Sequence, residues 1–195
     1  MQLDRSLSSN PRATTFVGGE TGAWTVVSQR THSGAPIAPV ARVEMVAGIP
    51  LHLARETAWA LWGVATNDRY TTRTEKTDLI HKQAPIGRPE ATCAALIPLS
   101  KNAAWWALTQ DERREVLEED SHHIAIGMRY LPAIARRLLH CRDLGTDAPF
   151  DFLGFLDYGP ADAAAFDDML GLLRATSEWS FINREIDIRL VKSAA

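Results

Sequence analysis

The chain has 195 residues, with 21 basic and 24 acidic side chains and a formal net charge of −3. Charges of both signs are interspersed, so no single-sign field points toward nucleic acid or an anionic membrane. The longest apolar stretch, around Ala58 to Ala65, is far short of the ~20 residues a membrane-spanning helix needs.

The opening segment MQLDRSLSSNPRATTF has no apolar run behind its charges and reads as a loose tail, not a secretory signal or an anchor. Three stretches then carry β-branched and aromatic residues suited to strands: Ala23 to Gln29 (AWTVVSQ), Val40 to Val46 (VARVEMV) and Trp62 to Thr72. No long helix stands out among them. The segment Lys82 to Glu90 (KQAPIGRPE) holds two prolines and a glycine and divides the chain into halves of residues 1–90 and 91–195.

The second half opens on a strand over Thr92 to Leu99. Thr109 then starts a helix, with Glu112 placed to complete a capping box. That helix is expected to run from about Gln110 to His140, bent or divided at Gly127 and Pro132, and to end over Arg142 to Gly145. Phe150 to Tyr158 alternates as a strand. Pro160 to Thr176 places Ala164, Phe166, Met169, Leu170 and Leu173 at helical spacing, and Glu178 to Val191 makes a last strand. This order fits an α+β ferredoxin-like sheet with helices on one face. Cys93 and Cys141 lack CxxC spacing and read as ordinary thiols of a reducing compartment, which favours the cytoplasm.

Of six histidines, the adjacent His122 and His123 lie inside the strong helical pattern. On a helix, His123 shares a face with Val116, Ile126, Gly127, Tyr130 and Ile134, whereas His122 neighbours Glu118, Glu119 and Arg129. Gly127, one turn on, removes a side chain where a flat ligand of His123 would approach. Helical pattern alone favours reading His123 as a partly buried structural histidine. By the same pattern Arg136 and Arg137 are a basic last turn, Trp105 and Trp106 core aromatics, Lys101 a solvated lysine and Glu178 a strand-edge carboxylate.

The stretch KNAAWWALTQDERREVLEEDSHHIAIGMRYLPAIARRLLH, followed by PFDFLGFLDY and TSEWSFINREIDIRL, resembles the chlorite dismutase family, particularly its short, dimeric branch. The likeness covers residues 92 to 192. Its pattern is a lysine four residues before a double tryptophan, then a histidine followed by tyrosine seven and arginine thirteen residues on.

The resemblance implies a dimeric α/β-barrel fold built of ferredoxin-like units, with a reduced N-terminal half and a complete C-terminal haem-binding half. It also implies a haem b enzyme that converts the small anion chlorite to chloride and dioxygen. The family's proximal iron ligand falls on His123, the carboxylate bonded to that ligand on Glu178 and the distal arginine on Arg136. Haem-surrounding positions fall on Lys101, Trp105 and Trp106, and a propionate contact on Tyr70. The chain departs from the family pattern at Gly154, Leu156 and Asp157. Rival expectations are a coproheme decarboxylase, whose branch carries a reactive tyrosine near Ile97 and usually lacks the arginine placed at Arg136, a haem carrier or sensor, and a haem-free ferredoxin-like protein.

Overall fold

A computed structural model of the chain describes residues 10–50, 52–66, 69–144 and 148–193. Eight strands close an antiparallel barrel, the β part of an α+β chain: β1 (Ala13–Gly19), β2 (Trp24–Ser33), β3 (Arg42–Ala47), β4 (Trp59–Ala65), β5 (Cys93–Lys101), β6 (Ala135–His140), β7 (Phe152–Tyr158) and β8 (Ile182–Lys192). Around the barrel they run β1-β3-β2-β8-β5-β7-β6-β4. The helical elements are α1 (Arg73–Lys82), α2 (Ala103–Ala107), α3 (Gln110–Arg114), α4 (His123–Met128) and α5 (Ala163–Arg174).

Strand periodicity explains why β5 reads as an almost continuous apolar run. Alternate residues face opposite sides, so Ala94 and Leu96 enter the barrel core with Phe16, Trp24, Phe155 and Ile188. Ala95 and Ile97 face outward and pack under α5 with Phe166, Met169 and Leu170. Both faces are therefore covered. In β8 the same alternation sends Ile186, Ile188 and Leu190 inward, while Glu185 and Asp187 meet Arg174 of α5 on the outside.

Several expectations are met: β2, β3, β5 and β7 lie within a few residues of where the pattern placed them, and α5 follows the short 3-10 turn Pro160–Asp162. Others are corrected. The first nine residues of the expected tail lie outside the described residues, but from Ala13 the chain already forms β1, paired with both β3 and β4. β4 ends at Ala65, Asn67 and Asp68 of the expected strand lie outside the described residues, and its last residue, Thr72, caps α1 in a reciprocal capping box with Glu75. The first half therefore does hold a helix.

The largest correction concerns the helix expected over Gln110 to His140. It begins as predicted, with the Glu112 carboxylate accepting the Thr109 backbone N–H at 2.7 Å. It then widens into a π-helical turn, Glu115–Asp120, and breaks at His122, which takes a left-handed φ of 53°. A new helix starts at His123, and the Glu118 carboxylate caps it by accepting the N–H groups of Ile124 (2.5 Å) and Ala125 (3.2 Å). Beyond Pro132, residues 135–140 form β6, in continuous register with β7 from Ala135↔Asp157 to His140↔Phe152. A run of good helix formers, ARRLLH, is extended here because pairing with a buried neighbour outweighs a propensity worth only tenths of a kcal/mol per residue. Glu178 is likewise not on a strand: it lies in the 3-10 turn Ser177–Phe181 that precedes β8. Gly145, at the expected helix end, lies outside the described residues.

Candidate active site

Between the outer face of β5, β7 and β6 and the helices above it lies a cavity enclosing about 1260 Å³ of empty space, its open mouth included. The walls are mostly apolar: Ile97, Leu117, Ile134, Leu156, Phe166 and Met169 are among them. Into this setting the fold brings His123, Glu178, Lys101, Trp105, Tyr70 and Arg136, all lining the same space.

His123 projects from the first turn of α4. Its Nδ1 lies 2.6 Å from Glu178 Oε2. An ionised carboxylate only accepts, so Nδ1 carries a proton, and in the neutral imidazole the other ring nitrogen then has a free lone pair. The second Glu178 oxygen accepts from Lys101 Nζ at 2.7 Å. Glu178 is itself held from the backbone, where its N–H donates to Ser121 Oγ at 2.9 Å. Burial alone would raise the Glu178 carboxyl, but His123 and Lys101 outweigh it and hold its pKa at about 2. Burial pulls the Lys101 ammonium down, opposed by Glu178; the 2.7 Å contact between two enclosed groups describes an ion pair. Lys101 Nζ also stands 4.2 Å from the Trp105 ring centroid, a favourable cation–π arrangement when desolvated.

Arg136 enters from the other wall, on β6, at 8% exposure. Its guanidinium has no acidic partner among the described residues, its Nε has no hydrogen-bond partner, and burial lowers its pKa. Arginine nonetheless stays charged in proteins, so this is a buried cation in apolar surroundings. A Cβ on Gly127 would sit 2.9 Å from Arg136 Nη1. Gly127 therefore makes room, as its spacing suggested, but for the tip of Arg136.

The two tryptophans separate. Trp105 is buried in the cavity wall, edge-on to Tyr70 at 6.2 Å between centroids. Trp106, expected beside it, is not among the lining residues: it stacks on Phe152 and donates Nε1 to Asp151 Oδ2 at 3.3 Å. Adjacent residues on a short helix point in different directions, and only Trp105 turns inward. Tyr70 holds a left-handed φ of 66°, with its backbone oxygen accepting from Arg114 Nη1 at 2.7 Å. Tyr130, part of the sequence spacing, bonds Asp168 of α5 instead of facing the cavity.

Sequence reasoning missed Glu118, Ser121 and Arg114, which respectively cap the His123 helix, hold Glu178 and hold Tyr70. Only Glu118 left a signal, an acid shortly before the histidine, hidden by the assumption of one continuous helix.

The arrangement fits a flat iron macrocycle. An imidazole whose far nitrogen is fixed by a carboxylate is a suitable axial ligand. Among the described residues Tyr70 Oη and Trp105 Nε1 are buried and without hydrogen-bond partners, which gives a bound group's polar edge places to attach. Among the described residues no helix is long and apolar enough to cross a membrane.

Comparison with known proteins gives the same direction. Residues 43–192 match the family model described as chlorite dismutase. A crystal structure of dimeric chlorite dismutases from Nitrobacter winogradskyi is similar at 47% identity and a TM-score of 0.83, over 92% of this chain and 99% of that one. A chlorite dismutase variant from Candidatus Nitrospira defluvii in complex with cyanide shares the fold at 17% identity and a TM-score of 0.66, over 93% and 90% of the two chains. None of the curated proteins matches. The family model and the 47% identical structure together place this chain in the chlorite dismutase family, as a chlorite O2-lyase-like enzyme.

Proposed function

We propose that this chain binds haem b through the free ring nitrogen of His123 and converts chlorite to chloride and dioxygen. The observation that carries the reading is one cavity holding a carboxylate-fixed imidazole on the helix wall and, on the sheet wall, a buried arginine without an acidic partner among the described residues. When bound, the haem supplies an iron centre able to take up and return an oxygen atom. Glu178 holds the Nδ1 proton of His123 and makes the imidazole a stronger donor through its other nitrogen. Lys101 keeps Glu178 ionised. Arg136 would bind the anionic substrate and hold the chlorine-containing anion inside the cavity, since a guanidinium in an apolar cavity attracts anions far more strongly than it would in water. The apolar walls exclude water. Tyr70, Trp105 and Lys101 serve the haem edge, and Trp106 supports the wall from behind through Phe152.

The connectivity β5, helices, β6, β7, α5, β8, with order β8-β5-β7-β6, supports reading residues 91–195 as a complete ferredoxin-like unit and residues 1–90 as a reduced one. By analogy with the Nitrobacter winogradskyi protein, the assembly is a homodimer. Unpaired Cys93 and Cys141 favour the cytoplasm. At the position where a decarboxylating relative would carry a reactive tyrosine, the cavity wall has aliphatic Ile97, which favours an external anion over haem propionates as substrate.

The test is haem-loaded protein in an oxygen electrode. One dioxygen and one chloride per chlorite are expected. Bound haem without oxygen release would leave a carrier or sensor as the better reading, and a ferric haem band unchanged in His123→Ala would overturn the ligand.

A further inference from the structure

The Pro- and Gly-rich segment between the halves is built into the site's support. Arg88 sends both arms into the connection between α4 and β6: Nη1 donates to the Pro132 oxygen and Nη2 to the Ala133 oxygen, each at 2.8 Å. Those two carbonyls lie between His123 and Arg136 in sequence. Gln83, at the other end of the segment, donates Nε2 to the Arg136 backbone oxygen at 3.1 Å. Behind the strap stands Asp157, fully buried, one Oδ accepting the Gly87 N–H and the other 3.8 Å from Arg88 Nη2. Asp157 is the register partner of Ala135, so strap, strand end and carboxylate form one unit.

From this geometry we infer that Arg88 is a positioning residue for Arg136: by clamping the Pro132 and Ala133 carbonyls it fixes the start of β6 and so the place from which the Arg136 guanidinium reaches an anion. Two parallel donations from one planar fork restrain a backbone in both translation and rotation, which a single-point contact does not. Asp157 stands behind the fork at 3.8 Å without a hydrogen bond to it; burial raises its carboxyl and the Arg88 charge opposes that rise. The departure of the sequence from the family pattern at Asp157 thus has a use outside the cavity, because its side chain points away from the space lined by Gly154 and Leu156.

This inference rests on the anion-binding role proposed for Arg136, and the experiment separates the two. Nitrite, a bent two-oxygen anion like chlorite, is titrated into haem-loaded wild type, Arg88→Ala, Arg88→Lys, Arg136→Ala and the Arg88→Ala/Arg136→Ala double variant, with haem affinity and melting temperature measured on each. Arg88→Lys keeps the charge beside Asp157, so it folds even where Arg88→Ala does not. The expected result is a nitrite affinity about tenfold weaker in either Arg88 variant, in keeping with the cost of small misplacements, with haem affinity unchanged. In the double variant the loss equals that of Arg136→Ala alone, because a positioning residue has nothing left to position. Wild-type nitrite affinity in Arg88→Lys, or losses that add in the double variant, overturns the inference. Affinity indifferent to Arg136→Ala overturns the role of Arg136 instead.

Discussion

The two walls of the cavity solve the problem of buried charge in opposite ways. On the helix wall, Glu178 meets a partner at each oxygen, Nδ1 of His123 at 2.6 Å and Nζ of Lys101 at 2.7 Å, and its backbone is held as well. On the sheet wall, Arg136 is as deeply enclosed but faces no acid among the described residues. A closed network fixes geometry and suits a permanent resident. An uncompensated cation costs stability in the free protein and is repaid only when an anion arrives, which suits a substrate that comes and goes.

Removing one charge from each wall breaks the comparison most directly. Glu178→Gln leaves the Lys101 ammonium buried without its counter-charge, and a loss of about 3–5 kcal/mol is expected in the urea-unfolding free energy of the haem-free protein. Lys101→Met in the same chain should recover much of that loss, because both charges are then gone. A Glu178→Gln variant as stable as wild type would show that the network is not closed in solution.

Arg136→Ala is the opposite case. Stability of the haem-free protein should hold or rise, since the change removes a buried cation that no acid among the described residues compensates. Oxygen evolution from chlorite should fall about 10²–10³-fold with haem still bound, the scale seen when one electrostatic donor to the reacting charge is removed. Loss of haem in place of turnover would make Arg136 a structural residue and erase the contrast between the walls.

How far these walls were legible in the sequence follows from the range of the forces that build them. The apolar alternation of β5, β7 and β8 is local, and it placed those strands closely. The pairing of β6 with β7 is not local: ARRLLH has helical propensity, and only contact with Phe152 to Asp157 makes it a strand. The line of helix drawn from His123 to Arg136 was therefore wrong, although both residues do reach one cavity. Family spacing carried the membership of the site where helical geometry failed. It carried Trp106 too far, because two adjacent residues of α2 cannot both face inward. The capping of α4 by Glu118 depends on the left-handed turn at His122, a conformation that no residue type there announces. β1 was lost for the reverse reason: ATTFVGG is short, follows a polar opening and is a strand by virtue of its pairing with β3 and β4 on either side.

A smaller effect sharpens the comparison at the cavity's edge. Tyr70 Oη is buried and without a partner among the described residues, so Tyr70→Phe removes a polar group that contributes nothing in the haem-free protein. Its unfolding free energy should change by less than about 0.5 kcal/mol. Haem affinity should weaken by roughly 1 kcal/mol, or about fivefold, if the hydroxyl bonds the bound group. Equal haem affinity in the two proteins would remove Tyr70 from the site, and a large stability loss would give its hydroxyl a partner within the protein.

The smallest effect concerns what holds Tyr70. Arg114 donates to both oxygens of Glu75 at 2.7 Å and, from Nη1, to the Tyr70 backbone oxygen. Those Arg114 bonds lower the Glu75 carboxyl from its ordinary 4.5 to about 2. A carboxyl depressed in the folded state adds stability that is present above its unfolded pKa and is lost as pH falls through the folded one. The pair lies at the surface with about a fifth of each side chain exposed, so screening keeps its worth near 1 kcal/mol or less. Glu75→Gln should therefore be less stable than wild type by about that amount at neutral pH, and the difference should close between pH 4.5 and about 2. The Glu178–Lys101 pair lies deeper, its side chains 5% and 4% exposed, so added salt should shrink the Glu75 difference and leave the Glu178→Gln loss nearly intact. Equal salt sensitivity at the two sites would mean that water reaches Glu178 as freely as it reaches Glu75, and the helix wall would then not be the dry, closed network on which its contrast with Arg136 depends.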